Sequence, residues 1–271
     1  MYFDKSYLGI PEISGSLFDN KGLVVPPAGF QSEVTGEHND FSLCQFEINA
    51  WEPLKRIQEV LPAYNVLSLM EFQDRCGHIK EKALKHPLIG HSAFRRCHLL
   101  LPIPHIPELA DSKQLGRIII TLLNAAKRAY ENEFSSRKFL NHHASALNGE
   151  MHVNFGMRYK KLLTQIAQAP QAGILLPNSL QGYSIQADRA IISFFPDFIF
   201  LVGIEHILAI IAFPDKLACG EDTPGLDMAA LSGESVDSSF FFWADGYGID
   251  FVCTQKLKEA SSVCSGGLLI L

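Results

Sequence analysis

A chain of 271 residues, 47% hydrophobic and 19% charged, has ample apolar surface to offset chain entropy, which excludes a largely disordered protein. Its formal net charge of −6 argues against general nucleic-acid binding, which needs a cationic face to displace phosphate counterions. The six cysteines include no CxxC pair, and the N-terminus MYFDKSYLGIPEISG has no basic and apolar leader, so the sequence predicts reduced thiols and a cytoplasmic protein.

Residues 1–50 carry turn signals at Gly9-Ile10-Pro11, Ser14-Gly15-Ser16, Asp19–Gly22 and Pro26–Gly29. Between them lie Leu23-Val24-Val25 and a strand over Phe41–Ile48, apolar on both faces. Residues 1–40 read as an arm, because Tyr2, Phe3, Tyr7, Leu8, Ile10, Leu17 and Phe18 need a surface to cover, on this chain or another. A short helix is predicted over Pro53–Leu61, with proline in its first turn. The capping box Ser68–Glu71 opens a second helix to about Lys85, with Leu69, Phe72, Cys76, Ile79 and Ala83 as its apolar stripe. A strand over Phe94–Leu101 leads to Pro102-Ile-Pro104-His-Ile-Pro107, an extended stretch and the best boundary in the chain.

Ser112–Asn148 contains no proline, and Leu115, Ile119, Leu122 and Ala126 recur at helical spacing. It predicts a long helix, broken near Ser135-Ser136 or continuous as the axis of the fold. Another amphipathic helix follows over Met157–Ala169. The last hundred residues read as strands at Ile174–Leu176, Ala190–Phe195, Phe198–Val202, Ile207–Phe213, Phe240–Trp243 and Ile249–Cys253, punctuated by turns such as Pro177-Asn178. Pro196, Asp197, Glu205 and His206 interrupt 190–213, so no membrane span is predicted. Pro214–Ser239 holds six acids against Lys216 and reads as an exposed loop. These elements predict an α+β fold: a central long helix, with shorter helices packed on a mainly antiparallel C-terminal sheet. The regions 1–101 and 112–271 form two units or one continuous domain.

Candidate chemistry falls in three places. Cys76, His78, Cys97 and His98 combine thiolate and imidazole, a donor set suited to zinc. Their spacing opposes it, because His78 points away from Cys76 on its helix and neighbours in a strand, Cys97 and His98, face opposite ways. Glu205 and His206 intrude on an apolar run, as do Asp245 and Asp250, and such groups suit acid–base work or a cation. Asp245-Gly246 also reads as a hairpin turn, with glycine supplying positive φ. Third, His142-His143 departs from the HH-x-x-x-D-G signature of condensation-type acyltransferases, with Asn148 one position late and an amide in place of the acid. Basic Arg158-Tyr159-Lys160-Lys161 and Arg95-Arg96 could receive a phosphate or an acidic partner, and a solvated helix face explains the first as well; neither phosphate-binding glycine loops nor a G-x-S-x-G nucleophile elbow is present.

The sequence therefore carries two readings and predicts no cofactor. The first is a non-catalytic interaction or assembly protein, bound to a protein partner or to copies of itself. The second is a small-molecule enzyme using metal-assisted or acid–base chemistry, drawing on His78, His98, Glu205, His206 and Asp245.

Overall fold

The computed structural model describes residues 15–37, 41, 43, 49–147, 153–217, 219–233 and 235–271. Most of the strand expected over 41–48 lies outside them, as do Tyr2, Phe3, Tyr7, Leu8 and Ile10 of the arm.

The last strand of the chain, β10 (Cys264–Ile270), is the hub of the sheet. Along one edge it pairs antiparallel with β4 (Gln171–Gln181), which in turn pairs with β1 (Leu99–Ile103). Its other edge is shared. Cys264–Gly266 run parallel to β6 (Gly225–Asp227), while Leu268–Ile270 run antiparallel to β5 (Ile199–Leu201). The sheet thus forks at Gly266-Gly267. Beyond β6 come the hairpin of β8 (Ser239–Ala244) and β9 (Gly248–Thr254), then β2 (Lys138–Asn141), parallel to β9 at the far edge. A separate two-stranded ladder joins β3 (Asn154–Phe155) to β7 (Leu231–Ser232).

Helices supply the rest of the core. The helix α1 (Trp51–Val60) and the capped α2 (Leu69–Lys85) form where proline and the Ser68–Glu71 box predict them, and both arms of that box are made. Phe72 and Cys76 of α2 pack with Ala172 of β4. The long helix α3 (Leu115–Glu133) buries Leu115, Ile119, Leu122 and Ala126. It ends at Phe134, just before Ser135-Ser136, and the continuous alternative is overturned: the short strand β2 and a single turn, α4 (Ala144–Leu147), occupy the remainder. Both α3 and α1 lean on α7 (Ile204–Ala212), every residue of which is buried. The amphipathic α5 (Met157–Gln168) lies where its pattern placed it.

An α+β fold is therefore present, with a mixed sheet of mostly antiparallel pairs. Among the described residues no helix is long and apolar enough to cross a membrane. Several local readings are corrected. Ile207–Phe213 is not a strand but most of α7, and Ala190–Phe195 belongs to α6 (Ile185–Ile191) and a following 3-10 turn. An apolar run has no period when every face is buried, so helix and strand read alike. Pro177-Asn178 is not a turn but a bulge inside β4, where the register with β10 jumps. The first strand begins at Leu99 rather than Phe94 and includes Pro102, tolerated because β1 is an edge strand. Pro214–Ser239 is not wholly exposed: residues 225–233 are buried and carry β6 and β7. The described part of the arm wraps its own chain. Leu17 bonds Leu88, the Tyr183 hydroxyl bonds Val24, and Phe18 stacks edge-on against Phe195.

Candidate functional site

The fork in the sheet is where polar groups enter the core. A glycine pair inside a strand gives up both packing and chain entropy, and commonly marks a close approach. Here both glycines are needed. A Cβ on Gly266 would overlap the Oδ2 of Asp188, and one on Gly267 would lie 2.6 Å from the Nε2 of His206. Asp188 comes from α6, whose start is capped by the Ser184 hydroxyl. His206 comes from the first turn of α7. Adjacent strand residues face opposite sides, so Asp188 and His206 sit on the two faces of the fork.

Asp227 is the parallel partner of Gly266 and therefore shares the Asp188 face. Both acids are buried, at 0% and 5% exposed. Neither carboxylate oxygen of Asp188 has a hydrogen-bond partner among the described residues. Burial, and then the charge of Asp227, push the Asp188 carboxyl well above its usual range. Burial pushes Asp227 up to about 7. The pair therefore holds at least one proton at neutral pH. Asp227 opens onto a cavity of about 270 Å³ lined also by Tyr183, Phe241, Thr254, Lys256, Glu259 and Cys264. Cys264 is no ready nucleophile, since burial and the neighbouring Asp227 raise its thiol to about 12.

His206 is fully buried, and among the described residues neither ring nitrogen reaches a hydrogen bond of normal geometry. Burial lowers it to about 3, opposed in part by the Asp227 backbone. It is a neutral imidazole in the core.

Glu205 is handled differently. Its carboxylate accepts from the Tyr159 hydroxyl at 2.9 Å and from the Gly203 N–H at 2.8 Å, and the Ile204 N–H donates to the same hydroxyl at 2.9 Å. Burial raises Glu205 to about 7, against the pull of those bonds. Tyr159 faces a second cavity, of about 330 Å³, between α5, α6 and residues 229–236.

The remaining residues flagged in the sequence do not converge. Cys76 is buried between α2 and β4, and burial raises its thiol to about 12. His78 is exposed and its Nδ1 lies 2.8 Å from the Asp74 carbonyl. Cys97 and His98 are both buried in the approach to β1, not in a strand, so the expected opposite facing does not apply. His98 Nε2 lies 3.4 Å from the Lys80 ammonium, a poor neighbour for a metal cation. No group of three metal-ligating side chains comes together among the described residues. Asp245 does close the β8–β9 hairpin, but Gly246 is not at positive φ. The Asp245 carboxylate instead accepts from the Tyr247 and Gly248 N–H groups. Asp250 pairs with His142 at 3.1 Å on the surface.

Asp188, Asp227 and Tyr159 were missed by sequence reasoning. Asp227 falls in the acidic segment that reads as a loop, Tyr159 in a helix, and Asp188 in a stretch to which the sequence assigns no element. The one available signal was Gly266-Gly267 inside the apolar run CSGGLLIL. No family model matches this chain, and neither a curated protein nor a solved structure matches it.

Proposed function

We propose that the protein is a small-molecule enzyme of the acid–base class, working through Asp227 with Asp188 as its positioning partner. One observation carries this reading: a fully buried carboxyl with both oxygens unpartnered, against a second carboxyl that opens onto a cavity. An unsatisfied buried carboxyl costs a fold free energy and gives nothing back, whereas active sites retain such groups. Asp227, titrating at about 7, can change protonation state at neutral pH. Ionised, it takes a proton from an O–H, N–H or activated C–H of a molecule in the cavity, and it returns that proton in the same turnover. Asp188 stays protonated, so the pair carries one negative charge at most. Lys256 and Thr254 line the same cavity and provide donors for a polar substrate.

The test is solvent exchange. Panels of small hydroxy, amino and keto acids are incubated with the protein in D2O and followed by proton NMR. Loss of a substrate C–H signal is expected for at least one class. That loss should vanish in Asp227→Asn and persist in Glu259→Gln, both checked for folding by circular dichroism. No exchange across the panels would return the acid pair to a purely structural role.

The assembly reading keeps one specific support. Leu140 and Trp243, 48% and 39% exposed, flank Asp250 in one cross-strand row beside the β2 edge. Light scattering on the intact chain tests it: a monomer at high concentration, unaltered by Leu140→Glu, removes that support.

A further inference from the structure

The cavity of about 330 Å³ on the other side of α6 carries a second, independent reading. Its walls are Phe155, Ile192, Phe200, Leu201, Ala230 and Val236, an apolar surface at the lower end of the size range of small-molecule sites. Arg158 and Arg189 also line it, and among the described residues no carboxylate does. Arg158 spends its terminal N–H groups on the carbonyls of Ile192, Phe195 and Pro196. Its Nε is buried without a partner. Arg189 spends its donors on the carbonyls of Ala229, Leu231, Val236 and Ser238. Carbonyl dipoles fix the two side chains in place but supply no countercharge. Neither arginine forms an ion pair among the described residues. Asp188 and Asp237 act on Arg189 and Asp197 acts on Arg158 through their charge, but none of the three lines the cavity. Burial lowers the pKa of both guanidiniums, opposed in part by those acids. Among the described residues, the cavity wall itself brings two guanidiniums and no anion in ion-pair contact with either.

We infer that this cavity binds a small organic monoanion with an apolar body, such as an aryl or medium-chain carboxylate. The carboxylate lies toward the Arg158 and Arg189 guanidiniums, and the body lies against Phe155, Phe200 and Leu201. This inference does not rest on acid–base chemistry at Asp227, which lines the other cavity.

Calorimetric titration of the full chain with 2-naphthoate and with neutral 2-naphthamide tests it. One naphthoate site per chain is expected, at least about ten-fold tighter than the amide, a gap of about 1.4 kcal/mol. The preference should shrink in high salt, which screens the guanidinium charge. Ala230→Leu narrows the cavity and should weaken naphthoate at least about ten-fold. Should that variant misfold, Val236→Trp decides, because Val236 is 68% exposed at the rim and its replacement obstructs the mouth without touching the core. Equal affinity for acid and amide, no binding of either naphthoate or decanoate at millimolar concentration, or binding unmoved by Val236→Trp would each overturn the inference. Exchange activity lost in Asp227→Asn with naphthoate binding intact keeps the two sites apart.

Discussion

Glu205 and Asp188 are both fully buried carboxyl groups, and the protein treats them in opposite ways. Glu205 is enclosed by a tyrosine hydroxyl and a backbone N–H at the start of α7, a closed set in which every donor has an acceptor. Asp188 has a second acid for company and, among the described residues, no hydrogen-bond donor to its carboxylate. A buried polar group with its bonds made fixes local geometry; one with its bonds unmade destabilises the fold. Under the proposed function, the contrast separates a structural lock from a site. Glu205, the acid the sequence offered as a catalytic candidate, is the lock. Asp188, which it did not offer, is the anomaly that calls for a function.

The largest effect should come from filling the space that Gly266 leaves. A methyl there overlaps a fully buried carboxyl, so Gly266→Ala should lower stability by about 3 kcal/mol or more, read by urea denaturation. In an Asp188→Ala background the same change should cost at least about 1 kcal/mol less, because neighbouring changes in one crowded site are not additive. Equal costs in the two backgrounds would mean that Gly266 is not there to admit Asp188.

Next in size is a difference in pH response across the fork. The native Asp227 carboxyl, raised to about 7 from 3.8, holds a proton that the unfolded chain releases between those values, so its presence makes stability fall as pH rises through that window. His206 acts in reverse. Lowered to about 3 from 6.5, it stays neutral when folded while the unfolded ring takes up a proton, so its presence makes stability fall as pH drops. Asp227→Asn should therefore gain on the wild type between pH 4 and 7 by roughly 2–3 kcal/mol. His206→Leu should gain on the wild type in the other direction, toward low pH. Slopes of the same sign in the two variants would refute the placement of these groups.

Much of the helical layer could be read from local rules, because caps, prolines and one-sided apolar stripes act within a few residues. Ser68–Glu71 and the Leu115–Ala126 face are examples, as is the hairpin closed by Asp245. The centre of the fold could not be read that way. α7 has no wet face, and after Glu205-His206 its run IEHILAIIA is apolar throughout, so it reads equally as strand. The acid pair is assembled from α6 and β6, which are 39 residues apart in sequence between Asp188 and Asp227, and joined only by the register of β10. A single acid in an acidic segment gives no local sign that it faces inward. Glycines in a strand do give one, and Gly266-Gly267 was legible in principle as a place where something comes close.

A smaller effect tests the lock itself. Tyr159→Phe leaves the Ile204 N–H without its acceptor and removes one of the donors to Glu205, and it should cost about 1–3 kcal/mol. Asp188→Asn keeps shape and, at neutral pH, replaces one neutral group by another; it should change stability by under about 1 kcal/mol. The asymmetry between them is the quantity of interest. If Asp188→Asn proved the more damaging, the unpartnered acid would be a structural element after all.

The smallest effect should be at Asp250, the surface member of the acid pair that the sequence proposed. It meets His142 at 3.1 Å with both side chains largely in water, 38% and 50% exposed, and the pair is ionic only while the imidazole is protonated. Screening and side-chain entropy leave such pairs little net worth, so Asp250→Asn should change stability by under about 0.5 kcal/mol. Any exchange activity assigned to Asp227 should be untouched. Asp245, in the same hairpin, holds two backbone N–H groups, and Asp245→Ala should cost about 1 kcal/mol through the turn alone. An Asp250→Asn variant that lost exchange while keeping its unfolding curve would place the chemistry on the exposed outer face of the sheet, beside Trp243. It would leave the buried pair without a role.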